Sequence, residues 1–190
     1  PTRVSWARLR RRIMDDVRDL KKLLEQHSNE GLPEADLRVI KRGKALEYFS
    51  RHYGKLMAER GHGGIILTGS LSGYLGSPTL AAYCASKAFS RVYTEALWGE
   101  MEPLGVDVLH LNIGFTATPA MERLGMPIEY AEAPEVVAQE GLDNIANGPL
   151  HIVSTPGNVE QVRKVGGVLD DRGRLVKENA IPPREETGKA

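Results

Sequence analysis

Cysteine is almost missing from this chain of 190 residues, where Cys84 stands alone. A single thiol makes neither an internal disulfide nor a cysteine-based zinc site, and it suits a reducing compartment, so the expected localisation is cytoplasmic. Net charge is lacking as well: 25 Lys and Arg balance 25 Asp and Glu. No run approaches the roughly 20 apolar residues of a membrane span. The opening PTRVSWARLRRR also lacks the apolar centre of a secretory signal. No membrane partner is expected. His27, His52, His62, His110 and His151 show no metal-ligand spacing, so no metal is expected either. What is present, 41% hydrophobic and 26% charged residues, is the make-up of one ordinary globular domain and excludes a mainly disordered or collagen-like chain.

The zero balance hides an asymmetry. Residues 1–60 carry 15 Lys and Arg against 9 Asp and Glu, and the remainder carries the compensating excess of acid. Much of the basic excess sits in Arg8 to Arg12. Asp15, Asp16, Asp19 and Glu25 follow closely, and no aromatics are interleaved for bases to stack on. The cluster therefore reads as a solvated helix face and not as a nucleic-acid contact.

A helical front precedes an α/β remainder. Leu9, Ile13, Val17, Leu20 and Leu24 repeat at three and four, which predicts an amphipathic helix over 5–27. Pro33 opens a second helix, whose apolar face runs through Leu37, Ile40, Leu46, Phe49, Tyr53, Leu56 and Met57 until GHGG at 61–64 breaks it. Gly43 and Gly54 inside it each cost about 1 kcal/mol relative to Ala. Strands are predicted at 65–68, 106–111 and 150–154, and helices at 83–104 and 134–146. On the 83–104 helix, Ala88, Val92, Ala96 and Leu97 form one side, with Phe89, Tyr93 and Glu100 on the next. Strand, helix, strand, helix, strand implies crossovers and a parallel sheet. The division expected is a helical segment at 1–43, an α/β region at 44–165, and a charged, flexible tail at 166–190 ending in PPREETGKA.

Two features compete for the stretch after the first strand. Gly69, Gly73 and Gly76 have the look of a dinucleotide-binding turn. Ser77 and Pro78 follow where a helix should begin, however, and Lys87 and Arg91 stand where a ribose-binding acid is expected. The better reading joins Ser70, at the carboxyl end of a strand, to Tyr83 and Lys87, four apart and so on one helix face. An ammonium beside a phenol favours the phenolate and makes the hydroxyl usable as a proton donor or acceptor. A serine hydroxyl at a strand end can hold a substrate carbonyl oxygen while the tyrosine protonates it. Cys84, beside Tyr83, reads as a small packed side chain.

Over residues 44–155 the chain resembles the short-chain dehydrogenase/reductase family, in LEYFSRHYGKLMAERGHGGIILTGS, SGYLGSPTLAAYCASKAFSRVYTEAL and GVDVLHLNIGFTATPAM. The resemblance implies a Rossmann-like three-layer α/β fold, and puts Ser70, Tyr83 and Lys87 at the family's catalytic positions. It also implies that the Asn112–Thr118 loop meets the nicotinamide of NAD or NADP, with NADP the preferred of the two. Cofactor-binding residues are then Tyr83, Lys87, Gly114, Phe115, Thr116 and Thr118. Thr116 occupies the position whose backbone meets the carboxamide, and Lys87 also holds ribose hydroxyls. The substrate implied is a small carbonyl compound or alcohol, with Met121, Leu124 and Met126 as a candidate lid. A homo-oligomer, dimer or tetramer, is implied too, with Phe49, Tyr53, Phe89, Tyr93 and Trp98 supplying apolar area.

The chain departs from the family in three places. Ile113 replaces a proline, Ile40–Arg42 offers no asparagine where the family has a fourth catalytic residue, and the N-terminal half with its glycine-rich cofactor turn has no counterpart. The sheet is accordingly expected to be incomplete, with about three recognisable strands. Two functions follow: an NAD(P)-dependent oxidoreductase, or a truncated, non-catalytic relative acting as a partner subunit or binding module.

Overall fold

The computed structural model describes residues 34–123, 128–129, 131–155, 157–165 and 172–178. The expected helix at 5–27, the Arg8–Arg12 cluster, Leu124, Met126 and the PPREETGKA end lie outside the described residues. Helix α1 spans Glu34–Arg60. It stops at Gly61, whose φ of 74° is one that glycine tolerates. Strand β1 (Gly63–Thr68) leads through a single 3-10 turn, Leu71–Gly73, to helix α2 (Ala81–Met101). After a second 3-10 turn come β2 (Val106–Asn112), the short α3 (Pro119–Arg123), α4 (Pro134–Asp143) and β3 (Leu150–Ile152). Among the described residues two further helices follow, α5 (Asn158–Lys164) and α6 (Arg172–Glu178).

The three strands form one parallel sheet in the order β1-β2-β3, as the alternation of strand and helix predicts. Gly63 to Thr68 stand opposite Val106 to Leu111, and His110 to Asn112 opposite Leu150 to Ile152. β2 is central and covered on both faces, which is why it is apolar at nearly every position. On one face Val106 and Val108 pack with Leu97 and Trp98 of α2, joined by Met57, Ile65, Leu67 and Tyr93. On the other, Leu111 packs with Val137 of α4 and with Val153, joined by Ile66 and Ile113. Burying side chains of this size stabilises the fold by about 1.5–3 kcal/mol each.

α2 buries a different face from the one its apolar residues suggest. Val92 is 56% exposed, and Phe89 and Ala96 are exposed too, while Ser86, Ser90 and Thr94 are buried beside Cys84, Leu97 and Trp98. The hydroxyls of Ser86, Ser90 and Thr94 donate back to the carbonyls of Tyr83, Lys87 and Ser90. With their polar atoms satisfied inside the helix, these small side chains let α2 sit close on the sheet. Trp98 is not on an open face: it lies in the core, with α6 against it. Lys177 of α6 holds its ammonium 5.0 Å from the Trp98 ring centroid and pairs with Glu102 at 2.7 Å. Part of the stretch expected to be a flexible tail is thus a packed helix.

α1 lies along α2. Ser50 Oγ and Tyr93 Oη are 2.6 Å apart across the pair, and Gly43 and Gly54 admit Phe89 and Met101 to close contact. Among the described residues, no helix is long and apolar enough to cross a membrane.

Candidate active site

The site is built where β1 ends. Ser70 continues the extended backbone (φ −158°, ψ 149°), and its Oγ accepts the Ser72 N–H at 3.2 Å, capping the 3-10 turn that follows. The Gly69 and Leu71 N–H groups donate to the Leu111 and Ile113 carbonyls at 2.7 and 3.1 Å, fastening this strand end to β2 and its loop. The turn is held to α2 as well. Gly73 touches the Lys87 main chain, and the next residue, Tyr74, lies under the Arg91 guanidinium at 4.8 Å from its ring centroid. Arg91 is itself fixed by Glu95 at 3.2 Å.

On α2, Tyr83 and Lys87 share a face, with Nζ 5.8 Å from the phenol ring centroid. Lys87 Nζ also donates to the Thr68 carbonyl at 3.1 Å, so helix and strand end are joined by this lysine. Tyr83, Lys87, Ser86, Ser90 and Thr68, with Gly43, Leu46 and Phe89, line a cavity of about 350 Å³. Ser70 is not in that lining: it sits two residues beyond Thr68, buried and capping its own turn.

The loop after β2 is backed from below. A Cβ on Gly114 would stand 2.8 Å from Asn158 Oδ1, and Asn158 donates to the Val153 carbonyl at 3.0 Å. Thr116 forms a parallel bridge with Glu132 through its neighbours, since Ala117 N–H donates to Glu132 and Glu132 N–H to Phe115. The amide of Thr116 itself takes no part in that bridge, and its Oγ1 is buried with no hydrogen-bond partner. Thr118 receives the Met121 N–H at the start of α3, while Phe115 is exposed. Met121 is half-buried.

The glycines do not make a phosphate cradle. Gly69 faces the His110 ring, Gly73 faces the α2 backbone, and Gly76 faces open space. Two are therefore glycine because another part of the chain approaches closely, which is why a fingerprint-like spacing arises without the helix that should follow it.

Two polar groups escape attention in the sequence. His110, fully buried on β2, lies 3.1 Å through Nε2 from Ser90 Oγ. Burial, then the charges of Lys87 and Arg91, push its pKa down from 6.5 to about 3, with the Asn112 side chain opposing. The available signal is that His110 and Asn112 alternate within an otherwise apolar buried strand. Glu140 of α4 binds His151 Nε2 at 2.7 Å and accepts both the N–H and the hydroxyl of Ser154. Burial would raise its carboxyl, but the bonds from His151 and Ser154 outweigh this and hold it below its ordinary value.

Comparison with known proteins places these residues in context. Residues 44–127 match the short chain dehydrogenase family. A 7beta-hydroxysteroid dehydrogenase of Mediterraneibacter gnavus is 32% identical over 118 residues, which are 58% of this chain and 44% of that protein. A very-long-chain 3-oxoacyl-CoA reductase of Meyerozyma guilliermondii is 40% identical over 83 residues, 43% of this chain and 24% of that one. A structure solved in work on 7beta-hydroxysteroid dehydrogenase stereoselectivity superposes with a TM-score of 0.57 at 28% identity, covering 70% of this chain and 54% of the other. The chain thus spans less than half the length of these two curated relatives.

Proposed function

With residues 44–127 making this chain a member of the short-chain dehydrogenase/reductase family, we propose that it is an NAD(P)-dependent oxidoreductase interconverting a carbonyl compound and its alcohol. The observation that carries this reading is the placement of Tyr83 and Lys87 on one helix face, with the ammonium 5.8 Å from the phenol ring and tied to the strand end that leads into Ser70.

The loop after β2 fits a nicotinamide. Gly114 lets the loop rest on Asn158, the amide of Thr116 is left over by its bridge, and Thr116 Oγ1 is buried without a partner. Gly114, Phe115, Thr116 and Thr118 would hold that end of the cofactor, and Tyr83 and Lys87 its ribose. Bound there, the nicotinamide supplies or accepts the hydride.

The rest of the chemistry belongs to the side chains. Ser70 Oγ already accepts the Ser72 N–H, so its proton remains to be donated to a substrate carbonyl oxygen. Tyr83 gives its phenolic proton to that oxygen in reduction and takes it back in oxidation. The Lys87 ammonium stabilises the phenolate left behind. Leu75, Leu80 and Phe115, exposed on the loops after β1 and β2, favour an apolar substrate. The names of the two curated relatives point the same way. Phe89 and Val92, exposed on α2, offer apolar area for a homo-oligomer, and the lone buried thiol of Cys84 suits a reducing cytoplasm.

The test is turnover of steroid and acyl-chain ketones with NADPH or NADH, wild type against Tyr83→Phe. The variant should lose turnover by about 100-fold or more while binding cofactor within a few-fold of wild type. A Phe variant that remains active overturns the assignment.

A further inference from the structure

We propose that His110 is a positioning residue of this site: its buried ring, carried on β2, holds the Lys87 turn of α2 and the Gly69–Ser70 strand end in one register. The inference rests on the reading of Ser70, Tyr83 and Lys87 as the reacting groups.

Packing alone does not call for a histidine here. His110 is the third residue on the face of β2 that already carries Val106 and Val108, and an aliphatic side chain would fill that face without the cost of burying a polar ring. The ring instead makes two specific contacts with the two elements that bear the site. On α2, Nε2 lies 3.1 Å from Ser90 Oγ, and Ser90 in turn donates to the Lys87 carbonyl at 2.9 Å. Ser90 has one proton and gives it to Lys87, so the imidazole supplies the N–H from Nε2. On β1, the Cε1 corner of the ring, next to Nε2, lies against Gly69, where a Cβ would come within 2.1 Å of Cε1. Gly69 directly precedes Ser70, so even a methyl group would force the strand end off the ring.

Protonation fits the same arrangement. Burial and the nearby Lys87 and Arg91 charges keep the ring neutral. A neutral ring has one N–H, which goes to Ser90, and Nδ1 is left bare, in keeping with its lack of a hydrogen-bond partner. The Asn112 side chain is the one neighbour that favours a second proton, and it is outweighed. One side chain thus meets the serine-bearing strand end and, through one hydroxyl, the lysine-bearing helix turn.

The experiment compares the purified wild-type chain with His110→Ala, His110→Gln and Ser90→Ala, by steady-state kinetics and by assigned 1H–15N spectra. His110→Ala should lower kcat roughly 10- to 100-fold, the scale expected for small misplacement of reacting groups, with KM within about twofold. His110→Gln, whose side-chain N–H can still reach Ser90 Oγ, should recover most of that loss, and Ser90→Ala should share it. A cooperatively melting His110→Ala that keeps kcat within about twofold of wild type overturns the proposal. So does a Gln variant as impaired as Ala.

The spectra decide the point without turnover. His110→Ala should move the amide resonances of Gly69–Ser70 and of Lys87 together, and His110→Gln should return them. If either group stays in place, the proposal fails. Should His110→Ala not fold, Ser90→Ala carries the test: it should move the Lys87 resonance while His110→Gln leaves both groups in place, and an unmoved Lys87 overturns the proposal. A wild-type chain without turnover, or an active Tyr83→Phe, defeats the functional reading alone and leaves the spectral result to judge His110.

Discussion

Gly73 rests on the main chain of Lys87: a Cβ there would stand 2.9 Å from the Lys87 carbonyl carbon and 3.0 Å from its oxygen. The turn that Ser70 caps and the helix turn that carries Lys87 meet backbone to backbone, and a helix backbone cannot rotate aside as a side chain can.

Gly73→Ala should therefore push the turn off α2 and lower kcat about tenfold or more. Gly76→Ala is the control, since Gly76 faces open space, and it should stay within about twofold of wild type. Kinetics on the two variants, each checked for cooperative melting, settle the comparison; equal activity in both would refute the role given to Gly73.

Acid should weaken the fold through His110. The unfolded imidazole takes a proton near 6.5, but the buried one only at about 3. Between those values the unfolded state binds more protons, so stability falls as pH drops, by at most about 1.4 kcal/mol per pH unit. Glu140 acts lower down: its folded carboxyl is held below 4.5, so its contribution is complete above 4.5 and is lost as pH falls further. Urea unfolding of wild type and His110→Gln between pH 4.5 and 6.5 should give a flatter dependence in the variant.

Leu109→Ala should cost about 2–5 kcal/mol, because Leu109 is fully buried at the centre of β2 and the strand cannot collapse into the gap. Val92→Ala, also an apolar truncation, should change stability by no more than about 0.5 kcal/mol, since Val92 is mostly exposed on α2. Urea midpoints measured on both variants test the contrast between them.

The sheet and most helices were legible from periodicity and punctuation: Gly61 to Gly64 stop α1, Gly105 precedes β2, and all three strands fall where apolar runs lie. The pairing of Tyr83 with Lys87 followed from spacing alone. The buried face of α2 was not legible, because Ser86, Ser90 and Thr94 satisfy their hydroxyls within the helix and pack as if apolar. Nor was the reason for Gly69 and Gly73, since each answers to a residue far along the chain, His110 and Lys87 respectively. Trp98 read as surface area because α6, which covers it, lies in a segment whose composition resembles a tail.

Gly43 and Gly54 are eleven residues apart, close to three helical turns, so both face α2 along one stripe of α1. The same two residues that let Phe89 and Met101 in also weaken α1 as a helix in its own right. Cut away from α2, the 34–60 segment would spend most of its time unwound. Its shape is borrowed from its neighbour: α1 keeps its helix because α2 lies along it.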